Sequence, residues 1–308
     1  MPHRTAIRDA FGHALIEAGK KHEDVVVVSC DLKGATKTRG FFDEFPNRSF
    51  EVGIAEANGI GISAGLALAG YRPFISSFGA FITGKNVEIR TSIAYNKAPV
   101  VIVGTHGGLI GPDGTTQAGL QDITTMRAMP NFVVLQPASA IEAEAMVEYL
   151  AASREPAYLR IARNELPEIY DKDYVFALGK GHVIRDGSDI TVISSGPPVH
   201  AALEAAESLR DQLQVRVVNI PSLKPVDEGL VIQCSTETDG IITVEDHSIE
   251  GGLGSIVAEI VAQYGLKTPV HRHGIRDIFT ESGTPSELEK KYELDAAGIV
   301  KQIKSFHG

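Results

Sequence analysis

Tryptophan is absent from this 308-residue chain, and cysteine occurs only twice, at Cys30 and Cys234. Two cysteines so far apart make no disulfide framework, so free thiols in a reducing compartment are expected. Basic charge is scarce as well: 29 Lys and Arg stand against 39 Asp and Glu, a net charge of −10. That balance argues against a nucleic-acid partner and against an anionic membrane surface, both of which need basic patches. The stretch MPHRTAIRDAFGHAL lacks the apolar core and small-residue cleavage site of a secretory signal. A cytoplasmic protein is the expectation. The 43% hydrophobic content is enough for a sizeable core, and the length suits two domains.

What the chain does have is an alternation of short β-branched runs with longer helical patterns, which predicts parallel α/β units. In the first half, strands are expected at Val25–Ser29, Phe74–Ser77, Val100–Gly104, Phe132–Leu135 and Tyr158–Ile161. Helices are expected over Thr5–Ala18, Glu56–Ala69, Phe81–Ile93, Leu120–Ala128 and Ala140–Ala151. Continuous apolar strands such as VVVV fit a sheet covered by helices on both faces. Periodicity is lost over Leu166–Gly181, which places a domain boundary there. A second, smaller doubly wound sheet follows, with strands from Ile190 and at Val215–Ile220, Gly240–Glu245 and Thr268–Arg272. Its helices are expected near Val199–Leu213, Asp227–Cys234, Gly251–Tyr264 and Pro285–Lys304. The fold class is therefore α/β with two doubly wound domains, 1–168 and 182–308.

Three stretches carry chemistry. Between Val52 and Gly70 the run VGIAEANGIGISAGLALAG holds a single charged side chain, Glu56. A carboxyl carried into the interior on a closely packed helix is favoured in its neutral form, which suits acid–base work. The plainer alternative is a Glu that caps the preceding loop or pairs with an Arg. Five glycines, a Glu, an Asn and a Ser dilute the run too far for a membrane span. The second stretch, THGGLIGPDGTTQAGLQDI, follows a strand end, where ligands of open α/β sheets bind, and offers His106, Asp113 and Gln117. The third, VEDHSIEGGLGSIVAEIV, lacks the full G-x-G-x-x-G spacing, so tight helix–strand packing is a better reading than nucleotide binding. His247 within it reads as a structural histidine, with an interface role open.

Taken together, GIAEANG, SFGAFITGKNVEIR and THGGLIGPDGTTQ resemble the pyrimidine-binding domain of transketolases. EDHSIEGGLGSIVAE resembles their C-terminal domain, so the likeness spans nearly the whole chain. The layout is similar to the C-terminal subunit of a split, two-gene transketolase. Deoxyxylulose-phosphate synthases and the beta subunits of 2-oxo acid dehydrogenases share it. The resemblance implies thiamine diphosphate and Mg2+ as cofactors and sugar phosphates as substrates. Glu56 then matches the glutamate that hydrogen-bonds the cofactor's aminopyrimidine ring and favours its reactive imino tautomer. Phe78 and Phe81 match the ring-lining aromatics, although phenylalanines are ordinarily plain core residues. Gly84 stands where a further aromatic is common. His106 matches a substrate-facing histidine, Asp113 an aspartate that contacts a donor hydroxyl, and Arg8 and Arg163 a pair that clamps the substrate phosphate. Arg8 also fits a solvated first-turn residue. The loop KGATKT, 33–38, is a further source of a Lys and hydroxyls for that phosphate site.

Two departures qualify the likeness. Gln117 occupies the position of a family histidine near the donor's terminal hydroxyl, and Gln cannot titrate. This points to an unusual donor or acceptor. The GDG motif followed by Asn-Asn, which marks the family's diphosphate- and metal-binding domain, does not occur in the sequence. The resemblance therefore implies an N-terminal partner subunit carrying GDG and NN, assembled as a two-plus-two heterotetramer. No metal ligand is assigned to this chain. The expected reaction is transfer of a two-carbon ketol unit. A decarboxylating 2-oxo acid enzyme and a non-catalytic regulatory subunit are the alternatives.

Overall fold

A computed structural model describes residues 4–307; positions 1–3 and 308 of the two expected domains lie outside the described residues. The chain opens with β1 (Arg4–Ala6) and α1 (Ile7–Lys21). The sequence pattern starts this helix at Thr5, but Thr5 pairs with Leu166 in a two-stranded antiparallel ribbon that local propensity does not reveal. Next come β2 (Val25–Ser29), α2 (Arg39–Glu44), β3 (Ser49–Glu51), α3 (Glu56–Leu68) and β4 (Arg72–Phe78). The single helix expected over Phe81–Ile93 is three pieces: α4 (Gly79–Thr83), α5 (Asn86–Glu88) and a π-helical segment, Ile89–Ala94. Gly84 falls at the first break, where a glycine costs about 1 kcal/mol of helix propensity. The first half closes with β5 (Val101–Thr105), α6 (Asp122–Arg127), β6 (Val133–Leu135), α7 (Ala140–Ala152), β7 (Ala157–Ile161) and β8 (Glu165–Pro167).

Six of these strands form one parallel sheet in the order β3-β2-β4-β5-β7-β6. Every residue of β2, β5, β6 and β7 is buried, because helices cover both faces. Alternate residues divide between two cores. Val27, Phe74 and Val103 join Phe11 and Leu15 of α1 and Met146 and Leu150 of α7. Val28, Ile75 and Ile102 join Ile60 of α3, Ile89 and Ile93, and Met126 of α6. Each such side chain contributes about 1.5–3 kcal/mol on full burial.

The second half contains β9 (His182–Arg185), β10 (Ile190–Ser194), α8 (Pro198–Ser208), β11 (Val215–Asn219), β12 (Ser222–Lys224) and α9 (Glu228–Glu237). It continues with β13 (Gly240–Ser248), α10 (Leu253–Gln263), β14 (Val270–Ile275), α11 (Pro285–Lys291) and α12 (Ala296–His307). The sheet order is β14-β13-β10-β11-β9, parallel except for β9 at the edge. The α/β class with two parallel-sheet domains is thus the architecture observed. One helix was expected over Pro285–Lys304, but Asp295 starts a second one by accepting the Gly298 N–H at 2.9 Å. β12 leaves its own domain and pairs antiparallel with β6, so the second half completes the larger sheet. The core follows it: Ile193, Val218, Ile220 and Val257 share one cluster with Val28 and Ile102.

The glycine-rich turn before α10 has its own occupant. Glu245 accepts the N–H groups of Leu253 and Gly254, each at 2.8 Å, and a Cβ on Gly252 would fall 1.9 Å from its carboxylate. The helix N-terminus is filled by a side chain of this chain, which agrees with the packing reading. His247 beside it is fully buried, bonds the Ser248 carbonyl through Nδ1, and has its pKa pushed down to about 4 by burial.

Candidate active site

The direction of strand addition reverses at β2, with β3 on one side and β4 on the other, and ligands of such sheets bind beyond the carboxyl ends near that point. There the structure places an open cleft of about 440 Å³ lined by Arg8, Ala35, Phe78, His106, Asp113, Gln117 and Arg163. Phe78 ends β4, His106 follows β5 and Arg163 lies just past β7. Arg8 comes from the first turn of α1. With Ala35 from the turn after β2, five segments therefore deliver side chains to one end of one sheet.

His106 is buried, and its ring stacks on Phe78 with 3.8 Å between centroids. Its Nδ1 lies 3.0 Å from the Thr105 hydroxyl. Burial pushes its pKa down to about 4; Arg8 and Arg163 add to the shift and Asp113 opposes it. The imidazole is therefore neutral at neutral pH and free of the ordinary titration near 6.5. Its backbone φ of +60° is in the left-handed region, a strained conformation held by the surrounding fold. Phe78 stacks in turn on Phe81 at 5.3 Å, which makes a row of three rings.

Glu56 begins α3, is 7% exposed, and accepts a hydrogen bond from Ser77 Oγ at 2.9 Å. Ser77 precedes Phe78 on β4, so the carboxyl is anchored one residue from the ring row. Glu56 and Phe81 do not themselves line the cleft. Arg163 pairs with Asp113 at 2.9 Å, each side chain about two-fifths exposed. Among the described residues Arg8 reaches only the Ala35 carbonyl, at 3.4 Å, and its Nε is buried with no hydrogen-bond partner. Gln117 lines the cleft and bonds Thr116 Oγ1 at 3.4 Å. Exposed Gly84 leaves a depression of about 250 Å³ bordered by Thr83, Thr115 and Ala118.

The loop 33–38 turns its polar groups elsewhere, contrary to expectation. Lys33 pairs with Glu51 at 3.4 Å and Lys37 with Asp9 at 2.5 Å, while the Thr36 and Thr38 hydroxyls are buried against each other. Sequence reasoning also missed Ser77, which reads as one more strand residue, and Glu51. The Glu51 carboxylate takes the N–H groups of Asp31 and Gly53 and so ties the β2 loop to the approach to α3. Among the described residues no group of three or more His, Cys, Asp or Glu is placed to hold a metal ion.

Fold and cleft together define a two-domain α/β protein with a crevice lined by aromatic rings and two arginines at the switch point of its larger sheet. Residues 3–168 match the family model for the transketolase pyrimidine binding domain, and residues 179–299 that for the transketolase C-terminal domain. The chain belongs to the transketolase family. It is 42% identical over 302 residues to a Methanocaldococcus jannaschii protein that carries the name of a transketolase C-terminal section, covering 96% of this chain and 95% of that one. It is 36% identical to one of the subunits of the apulose-4-phosphate transketolase of Phocaeicola vulgatus, over 98% of this chain and 97% of the relative. A solved structure described as a split gene transketolase in an inactive β4 tetramer superposes with a TM-score of 0.90 at 39% identity, covering 97% of each chain.

Proposed function

We propose that this chain is the pyrimidine-binding and C-terminal subunit of a two-chain transketolase that moves a two-carbon ketol unit from a ketose phosphate to an aldose. The observation that carries the reading is the convergence of Arg8, Phe78, His106, Asp113, Gln117 and Arg163 in one cleft. The anchored Glu56 carboxyl stands one strand residue away from it. When bound, thiamine diphosphate supplies a carbanion nucleophile that no side chain can provide. The residues present fit its pyrimidine half: Glu56 would bond the ring's nitrogen, and the stacked pair Phe78 and Phe81 would line the ring. The buried, unpartnered Nε of Arg8 fits a substrate phosphate, with Arg163 as its second cation. Neutral His106 offers a hydrogen bond to a substrate hydroxyl without adding charge.

A partner chain supplies the diphosphate and Mg2+ sites in this reading. The relatives' names, one a C-terminal section and the other a single subunit of a transketolase, support that division. The outward face of α3 supports it too. Leu68 is 67% exposed, Ile54 just before the helix 85%, and among the described residues nothing approaches the Cβ positions of Gly61 or Gly65 between them. That face suits close packing against another chain in a two-plus-two heterotetramer in the cytoplasm. Gln117 favours one second reading, a 2-oxo acid-decarboxylating subunit, whose donor lacks the hydroxyl that a histidine would serve.

Reconstitution with a partner chain that carries the GDG and NN motifs separates these readings. A ketose phosphate and an aldose should be turned over only by the pair, with sedimentation showing an assembly larger than either chain. Glu56→Gln should lower kcat by at least about 10²-fold, since an amide cannot supply the acid–base step. Carbon dioxide release from pyruvate without ketol transfer selects the second reading. No turnover of any of these substrates, with Glu56→Gln silent, overturns both.

A further inference from the structure

The loop from His106 to Leu120, which carries Asp113 and Gln117, contains no helix or regular strand of its own. Its two ends are cinched together: the Gly119 N–H donates to the His106 carbonyl at 3.1 Å, and the Gly108 N–H to the Gly119 carbonyl at 3.0 Å. That same Gly119 carbonyl accepts from Arg160 Nη2 at 2.7 Å. Arg160 is buried on β7 and grips Asp122 of α6 through Nε at 3.0 Å. Its remaining arm crosses the domain boundary. Nη1 donates to Asp246 Oδ1 at 2.6 Å, and Nη2 also reaches the Asp246 carbonyl at 3.1 Å.

The loop backbone lies directly on this group. A Cβ on Gly108, where φ is +85°, would stand 2.0 Å from Asp246 Oδ2, and one on Gly107 would stand 2.7 Å from Arg160 Nε. The apolar side chains of the loop are buried in the second domain. Leu109, Ile110, Ala118 and Leu120 share a core with Val192, Val244, Ile275 and Leu288. The Ser248 N–H caps the loop's end at the Leu120 carbonyl, 2.9 Å away.

We infer that Asp246 is a positioning residue for the candidate site: the second domain holds the His106–Leu120 loop in register through the buried Asp246–Arg160–Gly119 linkage. Asp246 does not line the cleft and touches no proposed substrate group. Asp122 already balances the charge of Arg160; what Asp246 adds is the acceptors that fix Nη1 and Nη2, and a buried donor left without its partner is unfavourable. Freed from Asp246, Arg160 no longer has both arms fixed, and the carbonyl that cinches the loop loses its clamp. His106 and Asp113 then lose their placement, and a displacement of about 1 Å in such a group costs roughly 10²-fold in rate. The inference rests on the reading of this loop as part of the active site, but its primary test does not need turnover.

Hydrogen exchange read by mass spectrometry on the full chain, alone and reconstituted with its partner, tests it. In Asp246→Asn, amides of residues 106–120 should exchange at least about tenfold faster, while those of α3 and α12 keep their wild-type rates. Gly108→Ala, which lifts the loop off Asp246 without removing a charge, should give the same local pattern. Thiamine diphosphate affinity with Mg2+, measured by fluorescence titration, should change less than kcat, because Glu56 and Phe81 do not touch the loop and only Phe78 stacks on it through His106. In steady state, kcat for a ketose phosphate donor should fall more than KM rises. Unchanged exchange over 106–120 in both variants overturns the inference. So does acceleration spread evenly over the second domain, which would mean simple destabilisation. If the pair turns over no sugar, the proposed function fails while the exchange result still decides this one.

Discussion

At the level of single residues, the readable ones were those whose chemistry clashes with their surroundings. Glu56 stands out because it is the one charge in an apolar helix, and His106 because it sits among glycines at a strand end. Arg160, Asp122 and Asp246 gave no such signal. Each lies in an ordinary mixed segment, and only the fold brings β7, α6 and β13 to one point. Legibility also failed where a pattern had two outlets: the Lys and Thr residues of KGATKT face away from the cleft because Glu51 and Asp9 capture the lysines. His106 carries a prediction of its own. With its pKa held near 4 by burial, it stays unprotonated across the working range. The pH profile of kcat/KM for the reconstituted pair should show no inflection near 6.5, and His106→Asn should not remove any inflection that is seen. An inflection there that disappears in the variant would show an ordinary, exposed imidazole instead.

At the level of elements, most strands were read to within two residues because β-branched runs such as Val25–Ser29 have one outlet in a covered parallel sheet, while β13 and β14 run three residues past their expected ends. The pieces that escaped, β1, β3, β8, β9 and β12, are three or four residues long and owe their existence to a partner strand elsewhere in the sequence. Helix ends escaped when a polar cap was passed over. The sequence YELDAAG contains Asp295, whose carboxylate starts α12, while Glu293 turns the chain through a φ of +58°. Asp295→Ala should lower stability by about 1 kcal/mol, the usual worth of an N-cap, read as a shifted denaturant midpoint with an unchanged slope. Asp295→Ser should recover most of the loss. An alanine variant indistinguishable from wild type would mean that packing of Ile299 and Ile303 alone sets the start of the helix.

At the level of the whole molecule, polar as well as apolar groups are shared between the two domains. Glu142 of α7 is completely buried and accepts from the Ala138 N–H at 2.6 Å, from Asn219 Nδ2 of β11 at 3.0 Å and from the Tyr174 hydroxyl at 3.1 Å. Burial is the dominant influence and raises its pKa to about 7, against the lowering effect of those donors. A carboxyl that keeps its proton to higher pH in the folded state than in the unfolded one stabilises the fold most below its unfolded value. That stabilisation is lost as pH rises from about 4.5 to about 7. The free energy of unfolding of the wild type, measured relative to Glu142→Gln, should therefore fall by about 2–3 kcal/mol between pH 5 and pH 8. The variant loses acceptor capacity toward Asn219 and Ala138 and is less stable at pH 5, so the gap between the two proteins should narrow on the alkaline side. Urea titrations at the two pH values give the comparison directly. A gap that widens with pH would mean that Glu142 is ionised in the folded protein and that the donors around it, not burial, set its charge.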